Sequence, residues 1–553
     1  MMKKTIVVTF LFLIVALGFF VYFNSLEGEF VWDDYGLIRD NIYIRDFSHI
    51  SDIFTEDITA GVRKESFSYR PLQLLTYIID YSLWGLKPLG YHLTNLLLHI
   101  LVTLGIFWFT SILFKDYLLS LFTAVLFIIH PIHTEAVSYI SGRAEPLSTL
   151  FILLAFICYI KFIEERRFIF YLLLLVSFIF SLLSKESALM LPLLLLVYHW
   201  TFKRRVDRCA LISIFIIAFV YSLLRLTVLY FGSYQEFGRI PFFQRLPGSF
   251  FAISSYIRLL FLPLGLHMEY GMRILPLNHP YVLLGVIMTI LLLILAFLIR
   301  KTNRLVSFSI SFFFITLIPV SNIYPINATM AEHWLYLPSV GFFMIIGWIL
   351  SYLYKVKNLR VITIILFIGL VAVFSHLTIK QNRYWQEPIS FYERTLKFSP
   401  WSSRLYGNLA EAYWQKGEYE KAVEVCKQAI KIDPHHFIAY NNLGNAYLSL
   451  GKYKKAESCF KKAISLDPEH PAPYSNLGWT YFLLGQYEQA LILYKKSIEL
   501  DANYSSPYYN LAILYYERGE YDLAVEYCRK AKELGHKIDA EFLDALKQHK
   551  TLD

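Results

Sequence analysis

Eleven stretches of nearly uninterrupted apolar residues, several of them joined by short basic loops, decide what this chain can fold into. They run over 5–23, 93–113, 117–131, 145–163, 168–184, 187–201, 209–230, 281–300, 304–320, 336–354 and 359–377. Inside a bilayer no water satisfies the backbone, so such stretches close their hydrogen bonds within themselves as helices. Several are shorter than the roughly 20 residues a span needs, and these are expected to extend into their flanks. The first lies behind Lys3-Lys4 and has no small-residue cleavage site after it, so it reads as a retained signal anchor. A twelfth run, 249–264, is interrupted by Arg258 and Pro263, with Pro247 just before it.

Basic residues set the sidedness. The clusters are Lys3-Lys4, Lys161 with Arg166-Arg167, Lys203-Arg204-Arg205, Arg300-Lys301-Arg304 and Lys355-Lys357-Arg360. All fall on one side only if 249–264 does not cross. The expectation is therefore eleven crossings, a cytoplasmic N-terminus, and 249–264 re-entrant or interfacial. The Asp33-Asp34 loop, loops 132–144, 231–280 and 321–335, and the polar C-terminal region then share the extracytoplasmic face. Such a protein sits in a bacterial inner (plasma) membrane or an ER-like membrane. The net charge of +9 reads as the positive-inside bias, and no nucleic-acid partner is expected. The five cysteines read as small buried hydrophobes, with neither a disulfide framework nor a metal spacing.

Beyond residue 383 the chain becomes polar and repeats itself every 34 residues. Asn408-Leu409-Ala410 recurs as Asn442-Leu443-Gly444, Asn476-Leu477-Gly478 and Asn510-Leu511-Ala512. Gly417, Gly451, Gly485 and Gly519 keep the step, as do Tyr419, Tyr453, Tyr487 and Tyr521, and Ala422, Ala456, Ala490 and Ala524. This is the tetratricopeptide period and pattern. The fold class is all-α, a polytopic helical membrane domain followed by an α-solenoid. The divisions are a membrane domain over 1–383, a linker and half-repeat over 384–402, four repeats over 403–538, and a capping helix and tail over 539–553. Asn408, Asn442, Asn476 and Asn510 would stack along the first helices, where amides can hold an extended acceptor peptide by its backbone; they also read as ordinary consensus filling.

Polar residues gather beside the extracytoplasmic ends of the spans: Asp33, Asp34, Arg70, His92, Asn95, His130, His133, Glu135, Arg143, Glu145, Lys185, Glu186, Arg258, Glu269, Arg273, Glu332 and His333. Ionisable groups at membrane depth default to a functional role, and this many on one face imply a shared polar cavity. A carboxylate pair beside an aromatic can hold a general base near an acceptor hydroxyl. Arginine, lysine and histidine can neutralise a phosphate leaving group. The set suits transfer of a group from a membrane-bound phosphate donor to a hydroxyl. The physical argument accepts either Asp33 or Asp34 as the base. His130, His133 and Glu135 permit a divalent metal, although their spacing is not a metal signature; no metal ligand is assigned.

The segments Phe30-Val31-Trp32-Asp33-Asp34, Tyr69-Arg70-Pro71-Leu72, His92-Leu93-Thr94-Asn95, His130-Pro131-Ile132-His133-Thr134-Glu135-Ala136-Val137, Gly142-Arg143-Ala144-Glu145 and Glu332-His333-Trp334-Leu335-Tyr336-Leu337-Pro338-Ser339 resemble, in order, the transmembrane and tetratricopeptide-repeat-containing O-mannosyltransferases. These are type C glycosyltransferases. The resemblance implies a polyprenyl-phosphate-linked sugar as donor, mannose or another hexose, and a protein hydroxyl as acceptor. It also implies Asp33 as catalytic base with Asp34 beside it, and an inverting transfer. Arg70, His92, His130, His133, Glu135, Arg143, Glu145, Lys185, Glu332 and His333 would then hold the donor phosphate or substrate. The short array of four repeats points to a microbial relative. Two other functions fit parts of the chain: an O-antigen ligase or polymerase using a diphosphate lipid, and a non-catalytic membrane-anchored repeat scaffold.

Overall fold

The computed structural model describes residues 2–62, 66–229, 240–271, 274–323, 325–326 and 328–549; Arg273 lies outside them. The described residues form helices and turns with no strand. They divide into two compact units, Met1–Phe391 and Tyr392–Asp553.

The first unit is a bundle of apolar helices. Six are long and apolar enough to cross a membrane by length and composition: Thr5–Glu27, Pro88–Phe114, Ile140–Glu165, Arg208–Leu226, Pro280–Ile299 and Lys357–Trp385. Tyr117–Ile129 and Pro131–Val137 pass the same test as a pair bent by 54°, and Phe168–Ser184, Glu186–Phe202, Arg304–Val320 and Ser339–Lys355 are shorter apolar helices. Helix Phe242–Phe261 runs unbroken through Pro247, and carries Arg258. Pro247 is its sixth residue, so the N–H that would meet the Phe243 carbonyl is missing. It stops at Leu262, the residue ahead of Pro263, with φ −130°.

Glycines let the helices approach closely. A Cβ on Gly347 would sit 2.3 Å from Thr123 Oγ1, and one on Gly341 2.5 Å from the Ser309 carbonyl. Along helix Pro280–Ile299 only Val282, Gly285 and Ala296 are buried. Leu284, Ile287, Leu291 and Leu298 are exposed. An apolar surface left open in this way suits lipid contact, and the chain is a multi-pass membrane protein.

The stretch after the first span is not a simple loop. Short helical turns and helix Pro71–Trp84 pack Phe30, Ile38, Ile44, Ile53, Ile58, Leu74, Tyr77 and Ile78 into a small core of their own, joined by Tyr91 and Ile140. The sequence reading did not contain this helix, because Gln73 and Asp80 interrupt its apolar face.

The second unit is a tetratricopeptide solenoid. Its helix pairs are Ser403–Gln415 with Tyr419–Ile432, Phe437–Ser449 with Tyr453–Leu466, Pro471–Leu483 with Tyr487–Leu500, and Ser505–Glu517 with Tyr521–Glu533, followed by Ala540–His549. Each first helix ends in the same cap. Gly417, Gly451, Gly485 and Gly519 have φ between +70° and +80°. The next N–H donates back to Tyr413, Tyr447, Tyr481 or Tyr515 O, at 2.8–2.9 Å. This is the Schellman arrangement, which needs glycine at the left-handed residue.

Candidate active site

The segment from His130 to Glu145 is almost wholly buried and touches most of the polar residues. It doubles back tightly: a Cβ on Gly142 would lie 2.4 Å from the Glu135 carbonyl, so only glycine fits. Its irregular backbone is satisfied by side chains, as buried irregular backbone requires. Asn95 Nδ2 donates to the carbonyls of Val137, Tyr139 and Ile140, each at 3.2 Å. Tyr77 donates to Ile140 O at 3.0 Å and Gln73 to Ser141 O at 3.0 Å. Ser138 donates to Asn382 Oδ1 at 2.8 Å, tying in the last helix of the bundle.

The two neighbouring aspartates face different surroundings. Asp34 is fully buried. Its Oδ1 accepts from Ser141 N at 2.8 Å and Ser141 Oγ at 2.5 Å, and its Oδ2 accepts from Val31 N at 3.1 Å. Burial pushes the Asp34 carboxyl up to about 7, against the pull of the Ser141 and Val31 donors, and the charge of Asp33 adds to the rise. Asp33 is exposed. Its backbone N–H donates to Tyr139 Oη at 3.2 Å. Trp32, just before it, takes φ +52°, a strained conformation for a tryptophan. Tyr139 stacks on Trp385 at 5.2 Å, and Phe391 lies 5.0 Å from Trp385 and 6.1 Å from Trp32. Asp33 therefore stands beside an aromatic wall.

Arg143 is fully buried and braces the segment. Nε donates to Asn95 Oδ1 at 2.6 Å, Nη1 to Thr76 Oγ1 at 3.0 Å, and Nη2 to Tyr91 O at 2.9 Å. Nη1 also lies 2.6 Å from Asp80 Oδ2, and the guanidinium sits 4.5 Å from the centre of the Tyr77 ring. Thr94 donates to the other Asp80 oxygen at 2.7 Å. His92 is buried against Gly28, where a Cβ would come within 2.7 Å of His92 Nε2.

A second group lies at the two ends of the same segment. His333 donates to Glu135 twice, from N to Oε2 at 2.8 Å and from Nδ1 to Oε1 at 2.6 Å. Lys185 pairs with Glu145, both buried. Glu332 Oε1 accepts from His267 N and from Tyr270 Oη, each at 2.6 Å. Tyr256 lies within electrostatic reach of Glu135, Glu145 and Glu332 together. Arg70 lies 3.8 Å from Glu186, next to Lys185 in the chain, and Arg225 sits over the ring of Tyr69 at 5.6 Å.

His130 and His133 are held in the core instead. His130 Nε2 meets Leu260 O at 3.2 Å; His133 meets Phe127 O at 2.8 Å and Ser339 Oγ at 3.0 Å. Among the described residues no group of three or more His, Cys, Asp or Glu is arranged to hold a metal ion. Arg258 is exposed and Glu269 half-buried. In the solenoid, Asn442 Nδ2 donates to Gly407 O at 3.2 Å, Asn476 to Asn441 Oδ1 at 3.0 Å, and Asn510 to Ser475 Oγ at 3.1 Å. Each therefore stitches its repeat to the one before; Asn408 occupies the matching place in the first.

Sequence reading did not single out Tyr139, Ser141, Asp80 or Arg225. Asp80 did leave a signal, as a carboxylate inside the apolar stretch Leu74–Trp84. Ser141 and Tyr139 left none, because their roles depend on where residues more than a hundred positions away are brought.

Tetratricopeptide-repeat family profiles match residues 401–469, 435–503 and 506–537. The chain is 28% identical over 427 residues to protein O-mannosyl-transferase F38B6.6 of Caenorhabditis elegans, covering 74% of this chain and 60% of the relative. It is 27% identical over 463 residues to protein O-mannosyl-transferase TMTC3 of Mus musculus, covering 74% of this chain and 50% of the relative. The chain thus spans half to three fifths of the length of these relatives. A crystal structure of MamA is 27% identical over 26% of this chain and 85% of that chain, at a TM-score of 0.23. Tetratricopeptide-repeat matches fall in the second unit, and over 74% of its length the chain is similar in sequence to protein O-mannosyl-transferases.

Proposed function

We propose that this chain is a membrane glycosyltransferase that moves a hexose, mannose in the first instance, from a polyprenyl-phosphate donor to a hydroxyl of a protein acceptor on the extracytoplasmic side. The observation that carries the reading is the division of labour between adjacent carboxylates. Asp34 is consumed as a buried staple, which leaves Asp33, exposed beside Trp32 and Tyr139, as the group able to meet an acceptor hydroxyl. Asp33 takes the hydroxyl proton as the oxygen attacks the sugar, an inverting displacement. Arg70 and Lys185 offer positive charge for the departing phosphate. His130, His133 and Arg143 brace the buried segment 130–145 through the contacts that occupy them. The repeats bind the acceptor; the amides of Asn442, Asn476 and Asn510 are spent on neighbouring repeats, so their carbonyl oxygens are the atoms on offer to a peptide N–H. Eleven crossings with 249–264 outside the count, and a cytoplasmic N-terminus, belong to the same reading.

The test is transfer of mannose from a polyprenyl-phosphate donor to a serine- or threonine-containing protein by purified full-length variants. Asp33→Asn is expected to abolish transfer while leaving the melting temperature unchanged, and Asp34→Asn to change the melting behaviour first. Near-normal transfer by Asp33→Asn would sink the assignment. Preference for a diphosphate lipid would favour the ligase or polymerase alternative.

A further inference from the structure

The Glu135–His333 pair is more specific than phosphate binding requires. Glu135 is buried to 1% exposure and grips His333 at two points, the backbone N–H and Nδ1. That grip fixes both the ring orientation and the position of one proton. The His333 side chain is 25% exposed; among the described residues Nε2 has no hydrogen-bond partner, and it is the unburied ring atom turned to the open side. A carboxylate on Nδ1 with an accessible Nε2 is the arrangement of an imidazole that carries protons, whereas a static phosphate ligand needs no such orienter. The turn that presents it is itself anchored, because Glu332 accepts from His267 N and Tyr270 Oη.

We propose that Glu135 positions His333 to deliver a proton from Nε2 to the departing phosphate of the donor. The inference rests on the transferase reading above. In the step, the acceptor oxygen forms its bond to the sugar carbon and passes its proton to Asp33. The bond from that carbon to the phosphate oxygen breaks, and its electron pair stays on the phosphate. His333 Nε2 gives its proton to that phosphate oxygen, and the imidazole is left neutral, still donating Nδ1–H to Glu135. Solvent returns the proton from Asp33 to His333, so the cycle closes with no other reagent. The groups facing the imidazole are Glu135, the neighbouring Glu332, the Trp334 ring at 5.8 Å, and, around the same glutamates, Tyr256, Tyr270 and the Glu145–Lys185 pair. His333 is the catalytic residue of this step and Glu135 its positioning residue.

The experiment is the pH–rate profile of mannose transfer from polyprenyl-phosphate mannose to a peptide by the full chain. Wild type, His333→Gln, Glu135→Gln and Asp33→Asn are compared. The wild-type rate is expected to fall on the alkaline side. His333→Gln is expected to lower kcat by about 10²-fold and abolish that limb. Glu135→Gln is expected to keep part of the rate but move the limb to lower pH, since a neighbouring negative charge has been removed. An unchanged alkaline limb in His333→Gln, or a Glu135→Gln enzyme that loses rate without moving the limb, would overturn the proposal. If His333→Gln does not fold, the limb in Glu135→Gln decides alone. If wild type transfers no sugar, or Asp33→Asn transfers normally, the transferase reading itself falls. Loss in Asp33→Asn with an unmoved limb in the histidine variant removes the dyad only.

Discussion

Ser141 donates to one oxygen of Asp34 through both its backbone N–H, at 2.8 Å, and its hydroxyl, at 2.5 Å. The two residues are 107 positions apart, so this contact joins the small core after the first span to the buried segment 130–145. It also sets two adjacent aspartates in different surroundings. Asp34 has three donors and no exposure, whereas Asp33 is exposed.

The staple makes stability depend on pH. Burial raises the Asp34 carboxyl to about 7 in the folded protein, while the unfolded chain ionises near the ordinary aspartate value of about 4. Between those values the folded state binds the extra proton, so ΔG of unfolding falls as pH rises. The stabilisation is fully present below about pH 4 and is lost as pH rises through about 7. A shift of that size is worth about 4 kcal/mol. Measured against Asp34→Asn, wild type should lose melting temperature progressively as pH rises across this range. Equal slopes in both proteins would show that Asp34 is not the group responsible.

Arg143 gives a second expectation. Its donors are taken up by Asn95, Thr76, Tyr91 O and Asp80, in a site with no exposure. Lysine has the charge but not the fork, so Arg143→Lys should destabilise despite being conservative. Asp80→Ala should cost about 3–5 kcal/mol, because it strands a buried guanidinium. Removing both charges, as Arg143→Met with Asp80→Leu, should cost less than the single changes Arg143→Met and Asp80→Leu added together, and wild type, these two and the double variant are the four proteins. Thermal melts of the four proteins form the cycle, and additivity would mean that the pair is not coupled.

The parts of this architecture that were readable in advance share a cause. The repeats announce themselves because one physical solution recurs at the same positions, and the spans because lipid tolerates little else. The candidate site was readable only as a set of ionisable residues out of place. Which of them meet depended on contacts such as Asn95 with the 137–140 carbonyls and Ser141 with Asp34, where neither partner is unusual by itself. Helix Pro71–Trp84 was hidden for the same reason: Asp80 breaks its apolar pattern, and its partner Arg143 lies 63 residues away. Segment 132–144 reads as a loop by composition, yet it folds into buried turns because side chains from other helices satisfy its backbone.

The repeats carry a trade of volume that mutation can test. A Cβ on Gly444 would lie 2.5 Å from the Phe460 ring, and one on Gly478 2.7 Å from the Tyr494 ring. In the first and fourth repeats the matching residues are Ala410 and Ala512, and the matching residues on the second helix are Cys426 and Cys528, buried in the same clusters. Glycine thus accompanies a ring, and alanine a thiol, so each pair fills the gap between its helices to similar density. Gly444→Ala should overpack its repeat and cost about 1–3 kcal/mol, although alanine is the better helix former. Adding Phe460→Cys should recover most of the loss by recreating the pair found at Ala410 and Cys426. Hydrogen exchange of the full chain reads this locally, because amides in 437–466 should exchange faster in the single variant and slow again in the double. A single variant at least as protected as wild type would mean that the helices separate without cost, and that the paired sizes have no part in holding them together.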